Sequence, residues 1–167
     1  MTEKTYRKIT REAEKRILEG EGAILDATFG QEAHRRKIVR LAEKHGVPLV
    51  LIHCVAADET TKKRLAQREA EGKDISDGRW EIYSKQKITY QPIAELPPIN
   101  CLNLNTELSR EQLTRASEKF LRLRLGQRRN KERPARPAEG NESLNVFLAS
   151  HDNLGSQCRI ALHKDPQ

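Results

Sequence analysis

Aromatic residues are scarce in this chain: three Phe, three Tyr and one Trp make up 4% of its 167 residues. A core built on so few rings is modest, and 33% charged residues means a heavily solvated surface. Long apolar runs are also missing. The longest, Val47 to Ala57, is interrupted by Pro48 and His53 and is too short to span a membrane. The opening residues, Met-Thr-Glu-Lys-Thr-Tyr-Arg-Lys, lack the apolar stretch of a secretory leader. The three cysteines, Cys54, Cys101 and Cys158, are an odd number with no CxxC spacing, which argues against a disulfide framework. Cys54 and Cys101 sit in apolar runs and read as small buried hydrophobes, so a reduced, cytoplasmic setting is expected. His34, His45 and His53 have no ligand-spaced partners, and no metal site is expected.

The chain has room for one domain and a tail. Its net charge of +7 is local: from Arg110 to Arg136 there are eight Arg and two Lys against three Glu, and the remainder balances. Such a stripe could bind nucleic acid, but no aromatics interleave after Phe120 and no recognition motif is visible. A solvated helix end, whose dipole favours cations, is the simpler reading.

Along the chain, helical and strand patterns alternate. Thr5 to Glu19 carries Tyr6, Ile9, Ala13, Ile17 and Leu18 near one helical face, and Gly20 and Gly22 stop it. Ala23-Ile24-Leu25 is a short strand ending on the carboxylate Asp26. Gln31 to Lys44 is a second amphipathic helix, with His45-Gly46 as its C-cap. Pro48 to Ala56 is continuously apolar, as expected for a strand covered on both faces. Asp58 can cap a helix holding Leu65, Ala66 and Ala70, and Gly72 to Ser76 breaks it. Another helix runs from Arg79 to about Ile88, with Trp80, Ile82 and Tyr83 as packing residues. A proline-punctuated loop leads to a third strand, Ile99 to Asn105. Ser109-Arg-Glu-Gln112 is a capping box that opens a last helix through Leu113, Ala116, Phe120, Leu121 and Leu123. The alternation predicts an α/β fold: three layers, a short parallel sheet of three strands flanked by helices. From residue 126 the sequence turns polar, basic and aperiodic, which predicts a disordered tail over 126–167 behind a domain of residues 1–125. Leu144 to Leu148 and Ile160 to Leu162 are short apolar exceptions within it.

The ordered set Tyr6, Ala13, Leu18-x-Gly20-x-Gly22-x-Ile24-Leu25-Asp26-Ala27-Thr28-Phe29 and Arg35 resembles the small P-loop kinase domains of the AAA_33 type. Gly46-Val-Pro48, Cys54-x-Ala56, Glu59, Arg64-Leu65, Arg68, Ser76-Asp77, Trp80 and Tyr83 extend the likeness. Relatives of that group include gluconate kinase, polynucleotide kinase and zeta toxin, and the ATP-binding domain found beside aminoglycoside-phosphotransferase-like domains. The likeness covers roughly residues 5 to 124. It implies ATP-dependent phosphoryl transfer to a hydroxyl of a small molecule, with ATP and Mg²⁺ as cofactors. It also implies roles for particular residues. Asp26 is the catalytic carboxylate that orients metal or substrate. Arg35 and Thr28 contact the substrate. Arg64 and Arg68, one helical turn apart, are lid arginines suited to phosphate oxygens. The ordinary alternatives are a strand-end Asp that caps a turn, a solvated Arg35, and ion pairs from Arg64 and Arg68 to nearby carboxylates. Trp80, Tyr83 and Cys54 read as packing.

One part of the pattern is missing. G-x-x-x-x-G-K-[ST] occurs nowhere; the sole Gly-Lys pair, Gly72-Lys73, precedes Asp74. Without a backbone N–H nest and its lysine, nothing in the sequence grips a β- or γ-phosphate. The resemblance also places a phosphate-loop strand between the Asp26 strand and the Pro48 strand. Its loss leaves those two to pair directly, or leaves two rows of unpaired backbone groups at a cost of about 1–3 kcal/mol each when buried. The expected polypeptide is a truncated P-loop fold, inactive alone. Two alternatives are a split kinase completed by a P-loop-bearing partner chain or an upstream segment, and a non-enzymatic basic binding module. An exposed sheet edge makes self-association a further expectation.

Overall fold

The computed structural model describes residues 2–71, 79–126 and 157–162. Helix α1 spans Glu3–Leu18, β1 Ala23–Ala27, α2 Glu32–His45, β2 Leu49–Val55, α3 Asp58–Glu71, α4 Trp80–Ile88, β3 Cys101–Asn105, α5 Arg110–Leu125 and β4 Gln157–Leu162. A single 3₁₀ turn, Pro98–Asn100, leads into β3. Among the described residues no helix is long and apolar enough to cross a membrane.

The helix ends follow from local chemistry. Thr2 caps α1, accepting from the Thr5 N–H. At its far end Gly20 takes φ +87°, Gly20 N–H donates to Ile17 O and Glu21 N–H to Arg16 O, a six-to-one closure that satisfies the last carbonyls. Gly46 repeats the device after α2 with φ +62°, the Val47 N–H reaching Ala42 O at 3.0 Å. Ser109 and Gln112 form the reciprocal capping box that opens α5. Asp58 departs from expectation. It is the first residue of α3, and its carboxylate accepts from Lys87 Nζ at 2.6 Å and Tyr83 Oη at 3.1 Å, tying α3 to α4.

The class is α/β, with helices flanking the sheet, but the strand inventory differs from the three parallel strands expected. The sheet has four strands in the order β1-β4-β2-β3. β2 and β3 are parallel, and β4 runs antiparallel to both its neighbours. β1 and β2 neither pair directly nor stand open. The slot between them is filled by Gln157–Leu162, from the stretch expected to be a structureless tail. The physical reason is alternation: Ile160 and Leu162 both point to one face and are 1% and 2% exposed, inside the main core. A six-residue strand is too brief to show a period against its polar surroundings, so composition alone misassigned it. The other apolar exception, residues 144–148, lies outside the described residues, as does the break at 72–76.

The main core lies on one face of the sheet. Tyr6, Ala13 and Ile17 of α1, and Ile38, Leu41 and Ala42 of α2, pack on Leu25, Leu49, Leu51, Ile160 and Leu162. The other face buries Val50, Ile52, Leu65 and Leu104, and α5 packs there against β2 and β3 without burying any residue fully. Three large apolar positions expected to pack are exposed: Leu18 at 63%, Leu123 at 46% and Ile82 at 37%.

Candidate functional site

The carboxyl end of β1 carries the molecule's clearest local anomaly. Strand alternation sends Leu25 and Ala27 into the core and leaves Ile24 and Asp26 exposed. The chain then turns through Thr28-Phe29-Gly30, and Phe29 adopts φ +41° while completely buried. A bulky residue in the left-handed region costs on the order of 1–3 kcal/mol and persists only when its surroundings hold it there. Three contacts do so. Tyr6 Oη accepts from the Phe29 N–H at 3.2 Å, and it shares a hydrogen bond with Thr28 Oγ1 at 3.0 Å. Arg35 Nη1 donates to Phe29 O at 2.8 Å.

Arg35 is fully buried, in the first turns of α2. Its Nε and Nη2 hold the carboxylate of Glu95, and Nη2 also donates to Pro92 O at 2.9 Å. The side chains of Arg35 and Glu95 are 0% and 1% exposed. Burial pushes the Glu95 carboxyl up, but hydrogen bonds from Arg35 and the local backbone outweigh it and hold the group below its ordinary range. This clamp fastens the proline-punctuated loop onto the β1 turn. Gln31 Nε2 donating to Thr89 O, Gln91 N–H to Gly30 O, and Glu32 N–H to Gln91 Oε1 complete the seam. Arg35, expected as a substrate contact, is in this geometry a sealed structural cation, because a ligand would have to displace a buried carboxylate to reach it.

Beside the seam lies a cleft of about 390 Å³, between α1, the 28–31 turn, the start of α2, the end of β2, and α4. Tyr6, Thr28, His34, His53, Lys87 and Tyr90 are among its walls. Two stacked pairs build it: Tyr6 on His34, with centroids 3.8 Å apart, and His53 on Tyr90 at 5.2 Å. His53 Nδ1 faces Asn103 Oδ1 at 3.2 Å; since that oxygen only accepts, the ring proton sits on Nδ1. Its buried Nε2 is then a bare lone pair with no hydrogen-bond partner among the described residues. Burial holds the His53 pKa below the ordinary value, so the ring is neutral at pH 7. His34 is lowered for the same reason, and its buried Nδ1 sits 3.5 Å from Glu3 Oε2, too far for a good hydrogen bond. A neutral imidazole can accept a hydrogen bond from a ligand hydroxyl through Nε2 once a small movement uncovers that buried atom.

The residues singled out by sequence are not brought together. Thr28 lies in the cleft wall. Asp26 is exposed on the opposite face of the sheet, the one on which Val50 and Ile52 are buried. Arg64 is half-buried on α3, where Nη1 and Nη2 donate to Oγ1 and O of Thr106 at 3.1 and 2.8 Å, pinning α3 to the turn after β3. Arg68 is half-buried one turn further on and lines no part of the cleft. Sequence reasoning passed over Tyr6, His34, His53 and Glu95. The histidines were tested only as metal ligands, and the signal that separates them from solvated histidines, a seat at the end of an apolar strand or beside Tyr6, is spatial. Among the described residues no group of three or more potential ligands gathers for a metal.

The residues present do not fit a Mg²⁺-bound triphosphate. At the start of α1 the Thr5 N–H already donates to Thr2, and among the described residues the cleft has a single lysine, Lys87, paired with Asp58. No curated protein matches the chain, and no solved structure does. A family model described as AAA domain matches residues 1–93, over half the sequence. Its span holds α1 through α4, the β1 turn and the first part of the loop closed by Arg35, ending before Glu95. The chain therefore belongs to the AAA-domain family, a P-loop, kinase-like group of nucleotide-binding proteins.

Proposed function

We propose that this polypeptide keeps the ligand cleft of a kinase-like domain and binds a small, hydroxyl-bearing molecule there, without transferring phosphate to it unaided. The reaction implied by descent is ATP-dependent phosphorylation of a hydroxyl, and the cleft suits its acceptor. Thr28 and Tyr6 offer hydrogen bonds to hydroxyls, the buried Nε2 of His53 adds one when a ligand uncovers it, and the stacked rings offer flat apolar walls. The phosphate-donor half has no counterpart in these residues.

The observation that carries the reading is β4. It occupies the slot between β1 and β2 with antiparallel polarity, so the strand beside Asp26 runs away from the end of the sheet where the cleft lies. Calorimetry tests the proposal. Titrating Mg-ATP into the full chain should give no saturable heat up to millimolar nucleotide. A micromolar Kd, or phosphate transfer from ATP to any small alcohol, overturns it. A small polyol screen should give ligands whose affinity falls at least tenfold in His53→Phe, which keeps the stack on Tyr90 but removes both ring nitrogens.

A further inference from the structure

β4 is the strand on which the sheet depends, and it lies outside the family-matching span of 1–93. Among the described residues β1 has no other partner: its five residues, Ala23 to Ala27, all pair with Leu162 to Cys158. β2 pairs with the same segment over six positions, from Leu49–Leu162 to Cys54–Gln157. Ile160 and Leu162 enter the core against Leu25, Leu49 and Leu51. Take β4 away and β1 is joined to β2 and β3 by no ladder hydrogen bond, while two rows of backbone groups lose their partners in the middle of a sheet. Residues 127–156 separate this segment in sequence from α5, yet it lies in the centre of the sheet, so it enters the slot as a ligand enters a groove.

We propose that the β1–β2 slot is a strand-binding groove and that the same segment, Gln157–Leu162, of a second copy can occupy it, giving a reciprocal strand-exchanged dimer. The occupant follows from the chemistry of the groove. It must be extended, antiparallel to both walls, and able to send apolar side chains into the core at alternate positions; Gln157–Leu162 does so through Ile160 and Leu162. A molecule whose own β4 has left the slot exposes this demand in full, and the matching segment of another copy satisfies it with identical register and contacts. Exchange of an identical element between protomers is a low-cost route to a dimer, because every interface made in trans replaces one made in cis.

A complementation experiment tests this. One full-length variant carries Ile160→Asp and Leu162→Asp, which spoils the strand and leaves the groove intact. A second carries Leu25→Asp and Leu51→Asp, which spoils the groove and leaves the strand intact. Mixed in equal amounts, they should form a one-to-one heterodimer by light scattering, with amide exchange across Ala23–Ala27 slowed at least tenfold relative to the strand-spoiled variant alone. A folded strand-spoiled variant that gains neither partner nor protection overturns the proposal. Should either variant fail to fold, wild-type chain is incubated with a labelled synthetic peptide of residues 155–165 while warmed toward its unfolding midpoint and cooled. Saturable incorporation of the peptide, abolished when the peptide carries the two Asp substitutions, is the expected result, and no incorporation overturns the proposal.

Discussion

On one face of the sheet α1 and α2 seal Ile17, Ile38, Phe29 and Arg35 completely from solvent; on the other, α5 buries none of its residues fully and leaves Leu123 46% exposed. Both faces are served by amphipathic helices of similar length, 16 residues in α1 and in α5. The difference lies in what the helices lie upon. α1 and α2 cover an inner layer drawn from β1, β4 and β2, and a loop folds over its end. α5 packs chiefly on β2 and β3, and β1 keeps Ile24 at 56% exposure on that side. The cleft, the left-handed Phe29 and the buried ion pair all belong to the dense face. A strained backbone and an unpartnered imidazole nitrogen can be held only where surrounding packing is tight enough to over-determine them.

The comparison is broken most forcefully through the two arginines. Arg35→Met removes one half of a sealed pair and strands the Glu95 carboxylate, which should lower stability by about 3–5 kcal/mol in urea denaturation. Arg64→Met removes hydrogen bonds from a half-exposed helix and should cost about 1 kcal/mol. Equal losses would mean that the two faces are not built differently.

Acid should also strike the dense face first. His34 and His53 have lowered folded pKa values because burial penalises the cation. Their contribution is therefore fully present above the ordinary value of 6.5 and is lost as pH falls below it toward the folded values. Glu95 is also lowered, so its contribution holds above about 4.5 and fades as pH falls further. Denaturant midpoints measured from pH 7.5 to 3.5 should fall in two stages. His53→Phe should shrink the first, and Glu95→Gln should alter only the second. A midpoint that stays flat between pH 7.5 and 5.5 would deny the histidines their buried seats.

The smallest effect belongs to the thin face. Ser109→Ala removes the side chain that accepts the Gln112 N–H and should cost about 1 kcal/mol, with amide exchange quickening only in the first turn of α5. Quicker exchange in α1 or α2 as well would show the two faces to be more tightly coupled than their packing indicates.

Much of the architecture was legible in the residues. The α/β alternation, the glycine closures at Gly20 and Gly46, the Ser109 box and the apolar β2 each rest on interactions within a few positions of sequence. The site was legible only in part. Thr28 does reach the cleft. Asp26 was placed correctly at a strand end, yet a two-residue period decides which face it shows, and that face turns away from the cleft. Arg35 stood among Arg36, Lys37 and Arg40 with nothing local to mark it as the buried one; the mark is Glu95, sixty positions along.

What the sequence determined by itself was the order and kind of its local elements, the family over residues 1–93, and the absence of a phosphate-gripping loop. What only the tertiary structure decided was the partner of each long-range group: β4 for β1, Glu95 for Arg35, Tyr6 and Arg35 for the left-handed Phe29. Helix caps and periodicities act over three or four residues and can be read from neighbours. A central strand or a sealed ion pair is chosen by which distant surface it completes, and that choice exists only once the chain has closed on itself.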